Sequence, residues 1–433
     1  MMEDKKGYSA RELAVLSLCR LEREGKYGGL EADAAIKKFK LDGAEKALYT
    51  KLFYGVTERR LTLDFAINAY SNRKTDEMSL EMRNILRVSA YQILYLDRVP
   101  DYSAVNEGAE LAKKYERKSA SGFVNAILRR ICSEGMPDIK FDNKAEFLSV
   151  KYSVLQSTAE ILLKEFGFAE TEKYLYSLFS PQYITLRVNT LRISREELIK
   201  KLTDAGIGCE PTQKSEFGIR LTQHTDTQSL FDLIKGLAYI EDEASQIAIR
   251  TLDPGPGMTV ADVCAAPGGK TVSAAISMCN DGVIYASDIH KNKLKLIEKT
   301  AIDCGVTVIK TECRDAKTVK EEFIGKCDRV LCDVPCSGLG VLGKKPDMRY
   351  KEVTDRDRLI QTQREILASS SKYLKQDGVL VYSTCTVLSD ENGDNVSDFI
   401  KNNSDFELLS EQTLLPHKDG TDGFYISKIV KKR

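Results

Sequence analysis

The C-terminal half of the chain contains Asp262-Val263-Cys264-Ala265-Ala266-Pro267-Gly268-Gly269-Lys270-Thr271, where a strand pattern gives way to a glycine-rich loop at the start of a helix. Small residues let a ligand approach the backbone closely, and the first turn of a helix offers free N–H groups to polar or anionic atoms. This order of strand, loop and helix is typical of a nucleotide-type cofactor site. The loop matches neither the dinucleotide fingerprint nor the phosphate-binding loop, which argues against a nicotinamide-dependent oxidoreductase.

Strand patterns alternate with helical stretches from Thr259 onward. The alternation predicts an α/β, Rossmann-like fold, in which a parallel sheet is covered by helices on both faces. Ligands of such sheets bind at the carboxyl ends of the strands. Asp288 and Asp315 follow the second and third strands, where a carboxylate accepts hydrogen bonds from ribose hydroxyls or meets the adenine side of a cofactor. The predicted strands are Val260–Val263, Val283–Ser287, Val306–Lys310, Arg329–Cys332 and Val379–Tyr382.

Two cysteines follow the last two of these strands, within Asp333-Val334-Pro335-Cys336 and Ser383-Thr384-Cys385-Thr386. The carboxyl ends of parallel strands meet at one edge of a sheet, so we expect both thiols at the same edge as the glycine-rich loop. A thiol has an ordinary pKa of about 8.5, which a helix N-terminus or a positive group lowers. The pattern predicts a catalytic pair, and the alternative for Cys336 alone is a small buried residue.

Length and composition bound the remaining possibilities. A chain of 433 residues predicts two or three domains, and 64 basic against 64 acidic residues exclude a strong global attraction to nucleic acid or membranes while permitting a local basic face. The start, Met1–Lys6, shows no apolar leader, and eleven scattered cysteines fit a reducing compartment, so we expect a cytoplasmic protein. We expect no metal, because no metal-spaced cluster of Cys and His is present, and a monomer without membrane association.

The N-terminal part of the chain lacks strand patterns. Residues 8–135 show helical periodicity, a linker is predicted near Gly135–Asp138, and two or three helices follow to about residue 179. A strand–helix–strand pattern then predicts a small α+β module, with strands at Ile184–Asn189 and Gly218–Leu221 and a helix from Ser194 to about Ala205. We therefore expect a multidomain protein with an all-α domain at 1–137, a helical linker and α+β module at 138–240, and the α/β domain at 241–433.

Basic side chains in the first two domains leave two interpretations open. Those of the helical region either form a solvated surface or face RNA. In the small module, Arg187, Asn189 and Arg192 either contact phosphate or sugar or belong to a surface strand. The basic residues of the helical region are Arg83, Arg87, Lys113, Lys114, Arg117, Lys118, Arg129 and Arg130.

The motifs of the α/β domain resemble those of the S-adenosylmethionine-dependent RNA 5-cytosine methyltransferases. They are the glycine-rich loop, Asp288, Asp315, Asp333-Val334-Pro335-Cys336-Ser337-Gly338 and Ser383-Thr384-Cys385, with valine at 334 where the family commonly has alanine. The resemblance implies that S-adenosylmethionine binds with its ribose at Asp288 and its adenine edge at Asp315, and that Asp333 also belongs to the cofactor site. The methionine part is expected at the loop residues Cys264, Ala265, Ala266, Pro267, Gly268, Gly269 and Lys270.

The same resemblance implies the catalytic roles. Carbon 5 of cytosine is too electron-poor to attack a methyl group directly, so Cys385 is expected to add to carbon 6 as the nucleophile. Cys336 is expected to assist product release, and Asp333 to meet ring nitrogen 3 at the edge of the base. Lys270 is expected to add positive potential near the base. The target cytosine must lie in a loop or be flipped out of its stack.

The helical region resembles the antitermination factor NusB. The resemblance is carried by Arg87-Val88-Ser89-Ala90-Tyr91-Gln92-Ile93-Leu94-Tyr95, Val105-Asn106-Glu107-Gly108-Ala109 and Gly122-Phe123-Val124-Asn125-Ala126-Ile127-Leu128-Arg129. Together with the methyltransferase motifs, it narrows the match to the bacterial RsmB or Sun group, which implies an RNA-binding helical domain, an RRM-like module and 16S ribosomal RNA as substrate. The alternatives are a 5-cytosine methyltransferase of transfer RNA and a catalytically silent, RNA-binding ribosome assembly factor.

Overall fold

The structure is a computed structural model that describes residues 7–25, 28–223, 225 and 227–432. The start Met1–Lys6, on which the expectation about a leader depends, lies outside these residues. The chain divides into two compact units. The helical unit is the chain up to Phe179 together with Lys344–Glu352, and the sheet unit is Ser180–Gly343 with Val353–Arg433. The predicted domain borders at residues 137 and 240 stay predictions.

Helices build the helical unit, which confirms the prediction from periodicity. The first helix begins after Ser9, whose hydroxyl accepts a hydrogen bond from the Glu12 amide, and it ends at Gly25 in a left-handed conformation. Apolar stripes of several helices share one core that includes Leu13, Phe53 and Leu86. The helices are α1 (Ala10–Glu24), α2 (Gly28–Phe39), α3 (Gly43–Glu58), α4 (Arg60–Tyr70), α5 (Leu80–Tyr95), α6 (Asp101–Tyr115), α7 (Ala120–Glu134), α8 (Lys144–Tyr152) and α9 (Gln156–Ser177).

A nine-residue segment from the C-terminal half of the chain, Lys344–Glu352, also belongs to the helical unit. Its Arg349 is fully buried and donates hydrogen bonds to the carbonyl oxygens of Glu58 and Leu178, both at 3.0 Å. The Tyr350 hydroxyl donates to the Thr57 carbonyl oxygen at 2.6 Å. Buried polar side chains that satisfy backbone carbonyls in this way fix the segment firmly among the helices.

The small module of the sheet unit confirms the predicted α+β pattern and extends it. Its order is β1 (Thr185–Val188), α10 (Arg195–Asp204), β2 (Cys209–Pro211), β3 (Gly218–Leu221), α11 (Thr227–Ile234) and β4 (Ala238–Ile240). The strands form an antiparallel sheet in the order β2-β3-β1-β4. This β-α-β-β-α-β arrangement is the ferredoxin-like motif. The predicted helix is capped by Ser194, whose hydroxyl accepts a hydrogen bond from the Glu197 amide.

Two polar residues of β1 and its end do not lie where contact with RNA requires them. Arg187 is buried, donates to the Ser273 hydroxyl at 3.1 Å and lies 4.0 Å from the centre of the Phe217 ring. Asn189 is fully buried and donates to the carbonyl oxygens of Gly236 and Cys304. Both the phosphate-contact and the surface-strand interpretations are therefore wrong for these two residues, which join the module to the rest of the sheet unit.

A seven-stranded sheet forms the centre of the sheet unit, with the order β10-β11-β9-β8-β5-β6-β7. The five predicted strands pair in parallel, and helices accompany them, as expected. The strands are β5 (Thr259–Asp262), β6 (Val283–Asp288), β7 (Ile309–Cys313), β8 (Cys327–Asp333), β9 (Leu374–Thr384), β10 (Phe406–Leu414) and β11 (Phe424–Lys431). The helices are α12 (Glu243–Leu252), α13 (Gly269–Ser277), α14 (Lys291–Cys304), α15 (Arg356–Ser371), α16 (Gly393–Asn402) and α17 (Pro416–Asp419).

The sheet differs from the prediction in strand bounds and in the number of strands, and β9, for example, begins at Leu374 rather than Val379. The third strand begins at Ile309 rather than Val306, which is a buried residue of the preceding loop. Two further strands, β10 and β11, join the far edge, and β11 pairs antiparallel with both β9 and β10. The sheet is therefore mixed, with a parallel part that carries the glycine-rich loop and both cysteines at its carboxyl ends. Within the described residues, no helix is both long enough and apolar enough to cross a membrane.

Candidate active site

The glycine-rich loop connects β5 to α13 at the carboxyl edge of the sheet. Gly268 has φ +108°, and a Cβ atom there would lie 2.9 Å from the Cα atom of Ile297 on α14. Only glycine fits such a position without displacing backbone. The Gly268 carbonyl accepts the first hydrogen bond of α13, from the Val272 amide at 2.9 Å. The loop thus presents the N-terminus of α13 at the sheet edge, as a cofactor site of this type requires.

Asp288, at the end of β6, lies against this loop. One carboxylate oxygen accepts a hydrogen bond from the Ala266 amide at 3.2 Å, and the other accepts from the His290 amide at 2.8 Å. Asp315 lies after β7 with a side chain that is 41% exposed, and its carboxylate accepts from the Lys317 amide at 2.9 Å. The structure therefore joins Asp288 to the loop, whereas no described hydrogen bond joins Asp315 to it.

Cys264, the first predicted loop residue, does not have the properties of a nucleophile. Desolvation raises its pKa well above the usual value, and the nearby Cys332 and Asp262 raise it further. A thiol that stays protonated at neutral pH is a poor nucleophile. The predicted contact of Cys264 with the cofactor does not require a reactive thiol, and it stays a prediction.

Two buried carboxylates beside the loop were not predicted from the sequence as site residues. Asp262 accepts a hydrogen bond from the Thr271 hydroxyl through Oδ2, and Glu241 accepts one from the Ser273 hydroxyl through Oε2. The remaining oxygens, Asp262 Oδ1 and Glu241 Oε1, are buried and have no hydrogen-bond partner in the described part of the chain. Burial raises the pKa of Asp262 to about 7 and also raises that of Glu241. Position could have indicated Asp262, which ends the strand before the loop, but no local pattern marks Glu241.

These two oxygens fit the cofactor that the sequence resemblance implies. A Cβ atom on Gly269 would lie 3.1 Å from Glu241 Oε1, so a side chain at this loop position would crowd that oxygen. Buried acceptors without donors are costly, and a bound cation that donates to them removes the cost. S-adenosylmethionine carries an ammonium group on its methionine part. Asp262 and Glu241 therefore fit the ammonium group of this cofactor, beside the loop where its methionine part is predicted to bind.

The two predicted catalytic cysteines lie in contact. Cys336 follows β8, Cys385 follows β9, and their sulfur atoms are 3.3 Å apart. The hydrogen bond with Cys385 and burial raise the pKa of Cys336 well above its usual value. Either sulfur could be the donor in this contact, and the raised pKa keeps Cys336 protonated at neutral pH.

Lys270 and Asp333 form an ion pair beside the thiols. Lys270 Nζ lies 2.8 Å from Asp333 Oδ2, and the Ser383 hydroxyl donates to Asp333 Oδ1 at 2.8 Å. Burial alone would lower the pKa of Lys270, but the Asp333 carboxylate outweighs burial and raises it, with smaller contributions from Glu241 and Cys385. Lys270 is therefore a permanent positive charge that interacts with Cys385 as well as with Asp333.

Comparison with known proteins places these features in a family. Residues 249–430 match the family described as 16S rRNA methyltransferase RsmB/F, residues 8–133 match the NusB family, and residues 159–228 match the ferredoxin-like domain of RsmF/B-like methyltransferases. These matches confirm the predicted fold class in all three parts.

Full-length relatives agree with the family matches. The chain is 36% identical to the probable ribosomal RNA small subunit methyltransferase B of Bacillus subtilis, over 98% of this chain and 99% of that protein. It is 34% identical to the protein of the same name from Synechocystis, with the same coverage. A solved structure titled PH0851 superposes with a TM-score of 0.83 and 26% identity, covering 99% of this chain and all of the other. The chain therefore belongs to the ribosomal RNA small subunit methyltransferase B family.

Proposed function

We propose that this protein transfers a methyl group from S-adenosylmethionine to carbon 5 of a cytosine in 16S ribosomal RNA, through a covalent bond between Cys385 and the base. The observation that carries the proposal is the pair of sulfur atoms 3.3 Å apart beside the Lys270–Asp333 ion pair. The names of the full-length relatives support a small-subunit ribosomal RNA substrate. A cytoplasmic location, where ribosomal RNA is assembled into subunits, accords with this substrate.

The cofactor would supply a methyl group activated by a positively charged sulfur. The loop from Cys264 to Lys270 would hold its methionine part, with Asp262 and Glu241 accepting hydrogen bonds from the ammonium group. Asp288 would accept hydrogen bonds from the ribose hydroxyls, and Asp315 would meet the adenine edge. Asp333, at the same strand edge, would also belong to this site.

Cys385 is assigned as the nucleophile on electrostatic grounds. The raised pKa of Cys336 keeps it protonated and able to donate to a Cys385 thiolate, and Lys270 adds a nearby positive charge. Both favour the negative charge on the Cys385 sulfur, and the thiolate is the reactive form. Its addition at carbon 6 of cytosine makes carbon 5 electron-rich. Asp333 would meet ring nitrogen 3; because negative charge develops there during the addition, its carboxyl group would act in the protonated form, as an acid that donates to the nitrogen.

Product release requires two bond changes after the methyl group arrives. The proton on carbon 5 must leave to a base, and the bond between carbon 6 and the Cys385 sulfur must break so that the ring double bond re-forms. Cys336 is the side chain in contact with Cys385, so it is placed to act at this stage. We assign Cys336 to product release.

Substrate recognition is assigned to the helical unit and the ferredoxin-like module. A cytosine inside a stacked helix cannot present carbon 6 to a thiol, so it must be flipped out or lie in an unpaired segment. Exposed basic residues of α6, α7 and the connection between them, among them Lys113, Arg129 and Arg117, offer contacts with RNA phosphates. The helical unit would then contribute RNA affinity, and the monomer would be sufficient for activity.

Bisulfite sequencing of unmodified 16S ribosomal RNA tests the proposal. The RNA is incubated with S-adenosylmethionine and either the wild-type protein or the Cys385→Ala variant. We expect one new protected cytosine with the wild type and none with the variant, while cofactor binding by the variant is retained. Protection that survives in the Cys385→Ala variant contradicts the nucleophile. If the wild type protects no cytosine in 16S RNA but protects one in transfer RNA, the substrate assignment is wrong.

The Cys336→Ala variant tests the second thiol separately. Because product release would fail, a covalent complex of protein and RNA should accumulate and be visible on a denaturing gel. Cys336→Ala with normal turnover and no adduct contradicts the release role. The double variant with Cys385→Ala is the control, since it cannot form the adduct.

A further inference from the structure

The loop that carries Cys336 is held from both sides by buried side chains. Before the cysteine, the Pro335 carbonyl oxygen accepts a hydrogen bond from the Gln363 amide group of α15 at 2.9 Å. After the cysteine, the Ser337 backbone N–H donates to Glu391 Oε2 at 2.9 Å. Gln363 also donates to the same Glu391 oxygen at 2.9 Å. Glu391 and Gln363 therefore clamp the peptide units on either side of Cys336.

The loop that carries Cys385 is held by Asn392, the residue that follows Glu391 in the chain. Its Oδ1 accepts a hydrogen bond from the Thr384 hydroxyl at 2.6 Å, and its Nδ2 donates to the Thr386 carbonyl oxygen at 3.2 Å. The two contacts again lie on either side of the cysteine. Two neighbouring residues of one short segment thus hold the two thiol loops.

The segment itself is anchored in the interior. The side chains of Glu391 and Asn392 are 0% and 2% exposed. The Glu391 carbonyl oxygen accepts hydrogen bonds from the Tyr382 hydroxyl at 2.6 Å and from the Asn395 amide at 3.2 Å. A direct link between the loops adds to this, because the hydroxyl oxygens of Ser337 and Thr386 lie 2.7 Å apart. Glu391 Oε1 is buried without a hydrogen-bond partner among the described residues, but the other contacts connect the segment to both loops and restrict the side chains that they hold.

We infer that Glu391 and Asn392 are positioning residues that set the separation of the two thiols, with Glu391 fixing the Cys336 loop and Asn392 fixing the Cys385 loop. The sheet cannot do this alone, because each cysteine lies beyond the end of its strand. The two residues act through hydrogen bonds to the loops and leave the chemistry to the thiols. This inference rests on the proposed function only for its catalytic consequence, since the separation itself can be measured without any substrate.

A dithiol reagent measures the separation directly. Phenylarsine oxide condenses with two thiols, forming two arsenic–sulfur bonds and releasing one water, and it closes quickly only when both thiols are held close together. We expect fast closure in the wild type and loss of this reaction in Cys336→Ala, which defines the background from other cysteines. In Glu391→Ala and Asn392→Ala the closure rate should fall roughly tenfold, because the thiols lose their mutual orientation.

Turnover gives the second readout. Both variants should lose about 100-fold in kcat with little change in KM for RNA or cofactor, because the loops are misplaced while the binding surfaces are intact. Glu391→Gln keeps an oxygen that can accept from the Ser337 amide, so it should stay close to the wild type in closure rate. Rescue by this conservative variant separates positioning from a general loss of folding.

Asn189→Ala is the matched control. Asn189 is as deeply buried as Asn392 and donates to two backbone carbonyls of the same unit, but its contacts are with Gly236 and Cys304 rather than with a thiol loop. Its variant should lose stability and keep fast closure. If phenylarsine oxide bridges the thiols of Glu391→Ala and Asn392→Ala as fast as those of Asn189→Ala, the inference is wrong. If Glu391→Ala does not fold, the rate in Asn392→Ala alone tests the inference. If closure follows the expected pattern but the wild type methylates no cytosine, the positioning stands and the proposed function fails.

Discussion

A buried charged cluster in the helical unit and another in the sheet unit are built in opposite ways. In the helical unit, Arg87 donates to both carboxylate oxygens of Asp64 at 2.7 Å, and its third nitrogen donates to Glu22 at 2.8 Å and to Asn84 at 3.1 Å. In the sheet unit, Asp262 and Glu241 each use one oxygen and leave the other without a described partner.

The pKa shifts of the two clusters show the same contrast. Burial alone would lower the pKa of Arg87, but Asp64 and Glu22 outweigh it and raise it, so the charged form is stabilised. Burial raises the pKa of Asp262 to about 7, so its charged form is penalised. A saturated cluster holds the fold together, whereas an unsaturated one retains capacity to bind a ligand. We therefore expect that removing a carboxylate charge destabilises the helical unit at Asp64 and stabilises the sheet unit at Asp262.

The largest effect should follow from Asp64→Asn in the saturated cluster. This change leaves the buried Arg87 without its bidentate carboxylate, and breaking such a pair costs about 3–5 kcal/mol. Urea denaturation should show this loss in the free energy of unfolding of the helical unit. Glu110→Gln is the control, because Glu110 pairs with Lys113 on the surface and its loss should cost at most about 1 kcal/mol. Equal effects of the two changes would remove the distinction drawn for Arg87.

The next effect should come from Lys270→Gln in the sheet unit. The change removes the positive charge beside Asp333 and Cys385, and methyl transfer should slow about 100-fold, as when one preorganised electrostatic group is lost. Single-turnover methylation of RNA measures this rate. Lys320→Gln is the matched control, because Lys320 forms ion pairs with Glu312 and Glu322 in the same unit, away from the thiols. A full rate in Lys270→Gln would show that the pair has no part in the chemistry.

Asp262→Asn should stabilise the protein at high pH. The folded-state pKa of about 7 exceeds the ordinary value, so the stability linked to protonation of Asp262 is present at low pH and is lost as pH rises to about 7. The gain of the variant over the wild type should therefore increase by about 1.4 kcal/mol per pH unit between pH 5 and pH 7. Urea denaturation at these pH values measures it, with exposed Asp281→Asn as a control that should show no such gain. The same variant should bind S-adenosylmethionine more weakly.

The smallest effect concerns the protonation of Cys336. The hydrogen bond with Cys385 is the largest cause of its raised pKa, so Cys385→Ala should lower this pKa towards the ordinary thiol value. Alkylation of Cys336 by iodoacetamide, followed across pH by peptide mass spectrometry, should show a midpoint at lower pH in the variant. An unchanged midpoint would mean that burial alone sets the protonation of Cys336.

Local patterns were sufficient to predict the helical unit and the parallel part of the sheet. Central strands such as β8 and β9 are buried on both faces, so they appear as continuous apolar runs. The edge strands were harder to predict from the sequence. β7 is polar along most of its length, β10 is largely exposed, and the pairing of β11 between β9 and β10 depends on contacts that its own residues do not encode.

The site residues divide in the same way. The places of Cys336, Cys385 and Asp333 at the carboxyl edge of the sheet were predictable, because each ends or follows a strand that a pattern identifies. Glu241 and Glu391 were not, since they reach the site only through tertiary packing. Arg187 was misjudged for the opposite reason, because a basic residue on a strand gives no sign that a neighbouring helix will cover it.

The short segment Lys344–Glu352 limits how the two compact units can be separated by proteolysis or exchanged by gene fusion. The chain passes between its two compact units three times, after Phe179, after Gly343 and after Glu352. A protease would have to cut at three places to release either unit. Removal of residues 1–179 alone would leave Arg349 without the carbonyl oxygens that it satisfies. The sheet unit therefore cannot be exchanged between proteins by a fusion at a single junction.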